Sequence, residues 1–179
     1  MACIPEIQTP RLRLRGHREA DHDPAFRLWQ EPEVYERIGG RPLSSQEVWM
    51  RLLRYSGLWD LLGYGYWAVE DRASGHYLGQ LGFADFRRGL TGFDGRYPEA
   101  GWMIAPEWSG QGVATEAMRA ACAWLDRQPA WERSFCLVDD SNPASQRVAA
   151  KLGYCYVLDT RLGEGHTGVY FRSRGGGIA

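Results

Sequence analysis

The residues best suited to ligand chemistry lie in a short turn between an apolar segment and an alanine-rich one. Gly110 and Gly112 bracket this turn, and glycine adopts the positive φ angles that other residues disfavour. A helix is predicted to begin near Val113, so its unpaired backbone N–H groups and the positive end of its dipole would face the turn. This arrangement predicts the binding of a phosphate-bearing ligand, and a pyrophosphate is the natural candidate.

The spacing of the turn excludes two common nucleotide-binding motifs. A Walker loop requires Lys and then Ser or Thr after its last glycine, but Val113 and Ala114 follow Gly112. A dinucleotide fingerprint requires a third glycine where this chain has Thr115. The pattern that remains is Gly-x-Gly-x-Ala after an apolar strand.

That pattern resembles the acetyl-CoA loop of the GNAT N-acetyltransferases, and the chain is most similar to their RimJ/RimL-like branch. The resemblance covers nearly the whole chain, because other segments occur in the order typical of the family. These segments are TPRLRLR from Thr9, EPEV from Glu31, GYWAVE from Gly65, GQLG from Gly79, NPAS from Asn142 and KLGY from Lys151. The order of many segments is more specific than the turn, for which a plain strand-to-helix connection is the alternative.

The resemblance implies an α+β fold with a central mixed, mostly antiparallel twisted sheet of about six to seven strands flanked by helices. Strands 4 and 5 of this sheet should splay into a V. Hydrophobic patterning predicts strands over residues 11–15, 66–70, 76–86, 99–104, 134–138, 154–160 and 167–172, and helices over 24–37, 45–58, 113–127 and 142–152. The first strand should lie at a sheet edge. Ser44 or Ser45 should cap the second helix, with Val48, Leu52 and Leu53 on one face.

Length and composition favour a single domain over residues 1–179, with a flexible glycine-rich tail at 174–179. The formal net charge of −1 and the lack of a long apolar run argue against nucleic acid and membrane partners. The N-terminal MACIPEIQTP lacks the features of a secretory signal, which predicts a cytoplasmic protein. No metal site is expected, because the cysteines and histidines are scattered along the chain.

The resemblance also implies acetyl-CoA as co-substrate and direct transfer of its acetyl group to an amine through a tetrahedral intermediate. The family positions that bind the thioester oxygen and the pantetheine amides through backbone N–H groups correspond to Met103 and Ile104. The pyrophosphate would be bound by backbone N–H groups of Ser109, Gly110, Gln111, Gly112, Val113 and Ala114. The family often has Gln or Arg at the position of Ser109, so this turn lacks one cation.

An attacking amine must lose a proton, so the reaction needs a general base. Our first candidate is Glu99, which starts the strand leading to the turn and matches the family's acidic position. Glu164, in a glycine-flanked loop before the last strand, is the second candidate, and Asp85 is the third. A solvated residue at a strand start is the alternative for Glu99, and plain turn chemistry is the alternative for Glu164.

The departing thiolate is a better leaving group when it receives a proton. Many GNAT enzymes use a tyrosine for this step, but the matching position here is Ala149. Ser145, one turn earlier on the same predicted helix, is the branch's hydrogen-bond donor to the sulfur, and Asn142 would bind the pantetheine arm. The alternatives are an N-cap role for Asn142 and a half-buried helix position for Ser145.

The acceptor is not identified by the sequence. Trp67, Trp102 and Asp85 are expected near the acceptor groove, although tryptophans are more often core residues. A protein or peptide N-terminus and a small-molecule amine both remain open, and the near-neutral charge slightly favours a small molecule or free peptide. A homodimer is also considered. The alternative function is a catalytically idle acyl-CoA-binding or sensing module.

Overall fold

The computed structural model describes residues 3–90, 92, 96–162 and 165–176. Its elements in chain order are β1 (Ile7–Gln8), β2 (Leu12–Arg15), α1 (His22–Leu28), α2 (Pro32–Tyr35), α3 (Ser45–Leu62), β3 (Tyr66–Asp71), β4 (Tyr77–Ala84), β5 (Glu99–Ile104), α4 (Val113–Asp126), β6 (Arg133–Asp139), α5 (Pro143–Lys151), β7 (Cys155–Leu162) and β8 (Gly165–Ser173). Short 3₁₀ turns occur at Glu19–Asp21 and Pro106–Trp108. Within these described ranges, no helix is both long and apolar enough to cross a membrane.

The strands hydrogen-bond in the order β1-β2-β3-β4-β5-β6-β8-β7. The β5–β6 pair is parallel, whereas β1–β2, β2–β3, β3–β4, β6–β8 and β7–β8 are antiparallel. This confirms the predicted mixed, mostly antiparallel sheet, with eight strands where about six to seven were expected. The additional strand is β1, which is too short to show an alternating pattern. Because β1 pairs with β2, the prediction that the first strand lies at the edge was wrong.

Contacts within the chain group its residues into two compact units. The first unit comprises Met1–Gly82 and Trp102–Ala117, and the second comprises Phe83–Gly101 and Met118–Ala179. β4, β5 and α4 contribute residues to both units. Each unit is described by itself below, and the single domain expected from the length of the chain stays a prediction.

The first unit contains α3, whose start is set by a capping box. The Ser44 hydroxyl accepts a hydrogen bond from the Glu47 N–H at 3.3 Å, and the Glu47 carboxylate accepts one from the Ser44 N–H at 2.8 Å. This confirms Ser44 as the N-cap. Val48 and Leu52 are buried as predicted. Leu53 is 47% exposed, because the next position on a helix is rotated away from the buried face.

The helix predicted over residues 24–37 is divided into α1 and α2. Glu31 is extended, with ψ 123°, which is the conformation that a following proline favours. α3 continues beyond the predicted end at residue 58 and stops at Gly63, which has φ +73°. Pro32 therefore divides one predicted helix, and a glycine ends the next.

The second unit contains the paired strands β6 and β8, which carry the buried Phe135 and Val169. The Arg172 guanidinium on β8 forms an ion pair with Asp126 at 2.7 Å and donates to the Leu152 carbonyl at 3.0 Å. Asp126 ends α4, and Leu152 directly follows α5. Arg172 therefore ties the ends of two helices to the sheet.

Candidate functional site

The predicted glycine turn lies in the first unit, directly after β5. The Ala105 N–H donates to the Leu78 carbonyl at 2.8 Å as the chain leaves the strand. Gly110 and Gly112 have φ angles of +73° and +78°, so both adopt the left-handed conformation that favours glycine. This confirms the backbone geometry inferred from the glycine spacing.

The backbone N–H groups of the turn are available to a ligand. The first helical hydrogen bond of α4 runs from the Glu116 N–H to the Gly112 carbonyl at 2.9 Å. The N–H groups of residues 113–115 therefore precede the helical hydrogen-bond pattern. Within the part of the chain that the structure describes, no N–H of residues 110–115 donates to a protein acceptor. A phosphate is a suitable partner, because these donors converge at the positive end of a helix dipole.

Arg11 is a cation beside the turn that the sequence analysis did not assign to the site. Its Nη1 donates to the Gln111 carbonyl at 3.1 Å, and its Nε donates to the Glu116 carboxylate at 2.7 Å. Glu116 also accepts a hydrogen bond from the Thr9 hydroxyl at 2.6 Å. Burial alone would raise the pKa of Glu116, but the hydrogen bonds from Thr9 and Arg11 hold it below its usual value. Arg11 and the turn are far apart in sequence, so local sequence patterns could not indicate that they are in contact.

Met103 and Ile104 lie at the end of β5. Among the described residues, β5 pairs with β6 at Glu99 and Ala100 alone, so both later residues lie beyond that register. The splay of this strand from its neighbour stays a prediction. On the β4 side, a Cβ built on Gly79 would lie 2.9 Å from the Ile104 Cα, so the glycine permits close approach of the two backbones. The assignment of the Met103 and Ile104 N–H groups as thioester donors stays a prediction.

Glu99, the first candidate base, lies in the second unit and is buried. The Arg88 Nε donates to its two carboxylate oxygens at 3.2 and 3.0 Å, and the Arg88 Nη2 donates at 3.1 Å. The guanidinium is also stacked 4.5 Å from the centre of the Phe86 ring. Arg88 therefore forms a charge-assisted, bidentate pair with Glu99. A proton taken from an amine would compete with Arg88 for the carboxylate.

Of the other two candidate bases, Asp85 lies within the described residues. Asp85 accepts a hydrogen bond from the Arg87 N–H at 3.0 Å and pairs with the Arg87 Nε at 2.8 Å. These contacts stabilise a turn in which Arg87 has φ +52°, so both Asp85 oxygens have a local role. Glu164 lies outside the described residues.

Asn142 and Ser145 lie together at the start of α5 in the second unit. The Asn142 Oδ1 accepts a hydrogen bond from the Ser145 N–H at 3.0 Å, which confirms the N-cap interpretation. Both side chains are half-buried. In the described part of the chain the Ser145 hydroxyl has no hydrogen-bond partner, so it is available as a donor. Ala149 is fully buried on the same helix.

The two tryptophans expected near the acceptor have different environments in the first unit. Trp67 is fully buried, and its Nε1 donates to the Pro5 carbonyl at 2.7 Å. Its ring also packs against Trp59, with the centroids 4.6 Å apart. Trp67 is therefore a core residue, and we withdraw it from the acceptor contacts. Trp102 on β5 is half-buried and keeps that assignment as a prediction.

The chain belongs to the GNAT acetyltransferase family, because the model of the acetyltransferase (GNAT) domain matches residues 11–154. A solved GNAT-family acetyltransferase of Bordetella pertussis is 33% identical, with a TM-score of 0.83 over 94% of this chain and 99% of that one. The uncharacterized protein YkkB of Bacillus subtilis (strain 168) is 30% identical over 172 residues, which cover 93% of this chain and 95% of YkkB.

A more distant solved structure is RimL, the ribosomal L7/L12 α-N-protein acetyltransferase, in complex with coenzyme A. It is 15% identical, with a TM-score of 0.76 over 94% of this chain and 98% of that one, and this likeness shows the shared fold. The match to the family model makes the protein an N-acetyltransferase by family. In the described residues, no group of three or more His, Cys, Asp or Glu side chains is arranged to hold a metal ion.

Proposed function

We propose that this protein transfers an acetyl group from acetyl-CoA to a primary amine, with the Gly110–Gly112 turn binding the pyrophosphate. The observation that carries the proposal is the run of unpaired N–H groups over residues 110–115 at the start of α4. Acetyl-CoA supplies the activated acetyl group as a thioester. The turn stabilises the phosphate charge through the N–H groups of Gly110, Gln111, Gly112, Val113 and Ala114. The predicted donor Ser109 is removed from this set, because its N–H donates to the Pro106 carbonyl at 2.9 Å.

The reaction needs donors for the negative charge that develops on the thioester oxygen. We assign this role to the backbone N–H groups of Met103 and Ile104, which lie beyond the short β5–β6 register. Ser145 donates a hydrogen bond to the departing sulfur, because its hydroxyl has no protein partner within the described ranges. Asn142, which already caps α5, orients the pantetheine arm.

Glu99 remains our assignment for the general base, with Arg88 as its positioning partner. Arg88 donates hydrogen bonds to both oxygens of Glu99, which fixes the plane and orientation of the carboxylate. Proton acceptance either proceeds directly or through one water. Glu164 and Asp85 stay as alternatives, and the contacts of Asp85 with Arg87 make it the weaker one.

The acceptor is proposed to be a primary amine of a small molecule or a free peptide. The net charge of −1 favours these acceptors over a protein bound to the acidic surface of ribosomal RNA. Membership of the RimJ/RimL-like branch, which would favour a protein N-terminus, is supported by the shared fold with RimL. A cytoplasmic location and a homodimer also stay predictions.

The proposal is tested by measuring acetyl-CoA binding by calorimetry and the release of free CoA with a panel of amines and short peptides. We expect saturable binding and amine-dependent release, with acetylation of the amine shown by mass spectrometry. Ser145→Ala and Glu99→Gln should retain acetyl-CoA binding and release free CoA more slowly. Failure of the wild-type protein to bind acetyl-CoA would contradict the assignment of the turn.

A further inference from the structure

We propose that Arg11 is the positioning residue of the acetyl-CoA turn, and this rests on the proposed function. Arg11 holds the peptide unit between Gln111 and Gly112 in the orientation that presents the Gly112 N–H to a phosphate. It also places a positive charge behind a turn that has no basic residue of its own over residues 109–114.

The first argument is the contact between Arg11 and the turn backbone. Its Nη1 donates to the Gln111 carbonyl at 3.1 Å. That carbonyl and the Gly112 N–H belong to one peptide plane, so fixing the oxygen fixes the direction of the N–H. A hydrogen bond to the carbonyl also polarises the peptide and strengthens its N–H as a donor.

The second argument is that the Arg11 side chain is itself held in place. Its Nε donates to the Glu116 Oε2 at 2.7 Å, and its backbone N–H donates to the Glu116 Oε1 at 3.2 Å. The Thr9 hydroxyl donates to the same Oε1 at 2.6 Å. Glu116 lies in the first turn of α4, so this carboxylate links the segment before β2 to the helix that presents the other donors.

The third argument concerns the position of Nη2, the remaining nitrogen of the Arg11 guanidinium. A Cβ built on Gly112 would lie 3.6 Å from the Arg11 Nη2, so this end of the guanidinium lies against the turn. Among the described residues, Nη2 has no hydrogen-bond partner, and the Arg11 side chain is about half exposed, at 51%. Nη2 is therefore a donor of the guanidinium that lies beside the turn and is open to a ligand.

The test compares acetyl-CoA affinity, steady-state kinetics and thermal stability in Arg11→Gln, Arg11→Lys and Glu116→Gln. We expect Arg11→Gln to raise the Kd and the KM for acetyl-CoA about tenfold, which corresponds to about 1.4 kcal/mol, with kcat changed less than about twofold. Arg11→Lys should recover little, because an ammonium cannot bridge the Gln111 carbonyl and Glu116 in one plane. Glu116→Gln retains Arg11 and its donor to the Gln111 carbonyl but weakens the support of that side chain, so it should raise the Kd by a smaller factor.

Arg13→Gln is the matched control. Arg13 lies two positions along the same segment and pairs with Glu6 at 2.8 Å, so its loss removes the same charge without touching the turn. Its Kd should stay within about twofold of wild type. A purely structural role of Arg11 would lower the melting temperature and leave the Kd of the folded variant unchanged, and this result would overturn the proposal.

3′-Dephospho-CoA distinguishes the turn from the adenosine 3′-phosphate. If Arg11 acts through the turn, Arg11→Gln weakens binding of CoA and of 3′-dephospho-CoA by the same factor. If the effect is lost with 3′-dephospho-CoA, Arg11 contacts the 3′-phosphate and the positioning role is overturned. Failure of the wild-type protein to bind either ligand would contradict the proposed function itself, whereas wild-type binding with an unchanged Arg11→Gln Kd would contradict the role of Arg11 alone.

Discussion

Replacing Gly110 by alanine should weaken acetyl-CoA binding about tenfold while leaving the fold intact. Gly110 has φ +73°, a conformation that costs a residue with a Cβ about 1–2 kcal/mol. A Cβ at this position would meet no described atom within 4 Å, so the cost is backbone strain without a steric clash. Because the turn is exposed, we expect it to relax in the free variant. If about one tenth of the molecules keep the binding conformation, the apparent Kd rises about tenfold.

Gly75 is a matched control for this prediction. It has φ +75° in the β3–β4 turn, and a Cβ there would also meet no described atom within 4 Å. Gly75→Ala therefore introduces the same strain in the same unit, away from the glycine turn that binds the ligand. Calorimetry should show a Kd within about twofold of wild type for Gly75→Ala, and a melting temperature lowered by a few degrees.

Two results would refute this reasoning. The first is a Kd for Gly110→Ala within about twofold of wild type, since the turn would then tolerate a Cβ without losing its donors. The second is an equal loss of affinity in Gly110→Ala and Gly75→Ala, which would indicate a global effect. Gly110→Asn provides a further check, because asparagine tolerates the left-handed conformation and should recover part of the affinity.

Three further substitutions test other parts of the account. Glu99→Gln should lower kcat by about 100-fold or more, as for loss of a general base, with acetyl-CoA affinity unchanged; unchanged turnover would exclude Glu99 as the base. Ser145→Ala should lower kcat by about tenfold with little change in Kd, and a slower release of free CoA in single-turnover experiments would locate the effect at the thiolate; an unchanged rate would remove Ser145 from the mechanism. His17→Phe should flatten the pH dependence of stability. Burial lowers the pKa of His17 to about 4, so stability is lost as pH falls from about 6.5 towards 4, by up to about 3 kcal/mol. Neither ring nitrogen of His17 has a hydrogen-bond partner among the described residues, so the phenylalanine variant should be at least as stable at pH 7, and urea unfolding at several pH values measures this. An identical pH profile for wild type and variant would contradict the assignment to His17.

Local patterns predicted the elements that carry strong periodicity or capping signals. Ser44 or Ser45 was predicted to cap α3, and Ser44 does so. Asn142 caps α5, which was one of the two roles considered for it. The positive φ angles of the glycine turn were predicted, because glycine is the residue that adopts them at least cost. Element existence was therefore easier to predict than element boundaries, since a helix end depends on single residues such as Pro32 and Gly63.

Contacts between distant segments could not be predicted from patterns. Arg11 and Gln111 are far apart in sequence, and the alternation around Arg11 indicates a strand and nothing about the turn. The ion pair of Glu99 with Arg88 likewise could not be predicted. Glu99 has many possible partners in a chain with 21 basic residues, and the fold selects one of them. Trp67 shows that the role of a single residue can also be wrongly predicted from its type. An aromatic side chain suits a ligand groove and a core equally well, and its burial decides between them.

The central claim is that the turn over residues 109–114 binds the phosphates of acetyl-CoA during acetyl transfer. The most direct measurement is calorimetric titration of wild-type protein and Gly110→Ala with acetyl-CoA, followed by CoA release with the amine panel. The account predicts saturable wild-type binding, a Kd about tenfold higher for Gly110→Ala and amine-dependent release. Absence of wild-type binding, or equal affinities of the two proteins, would contradict it.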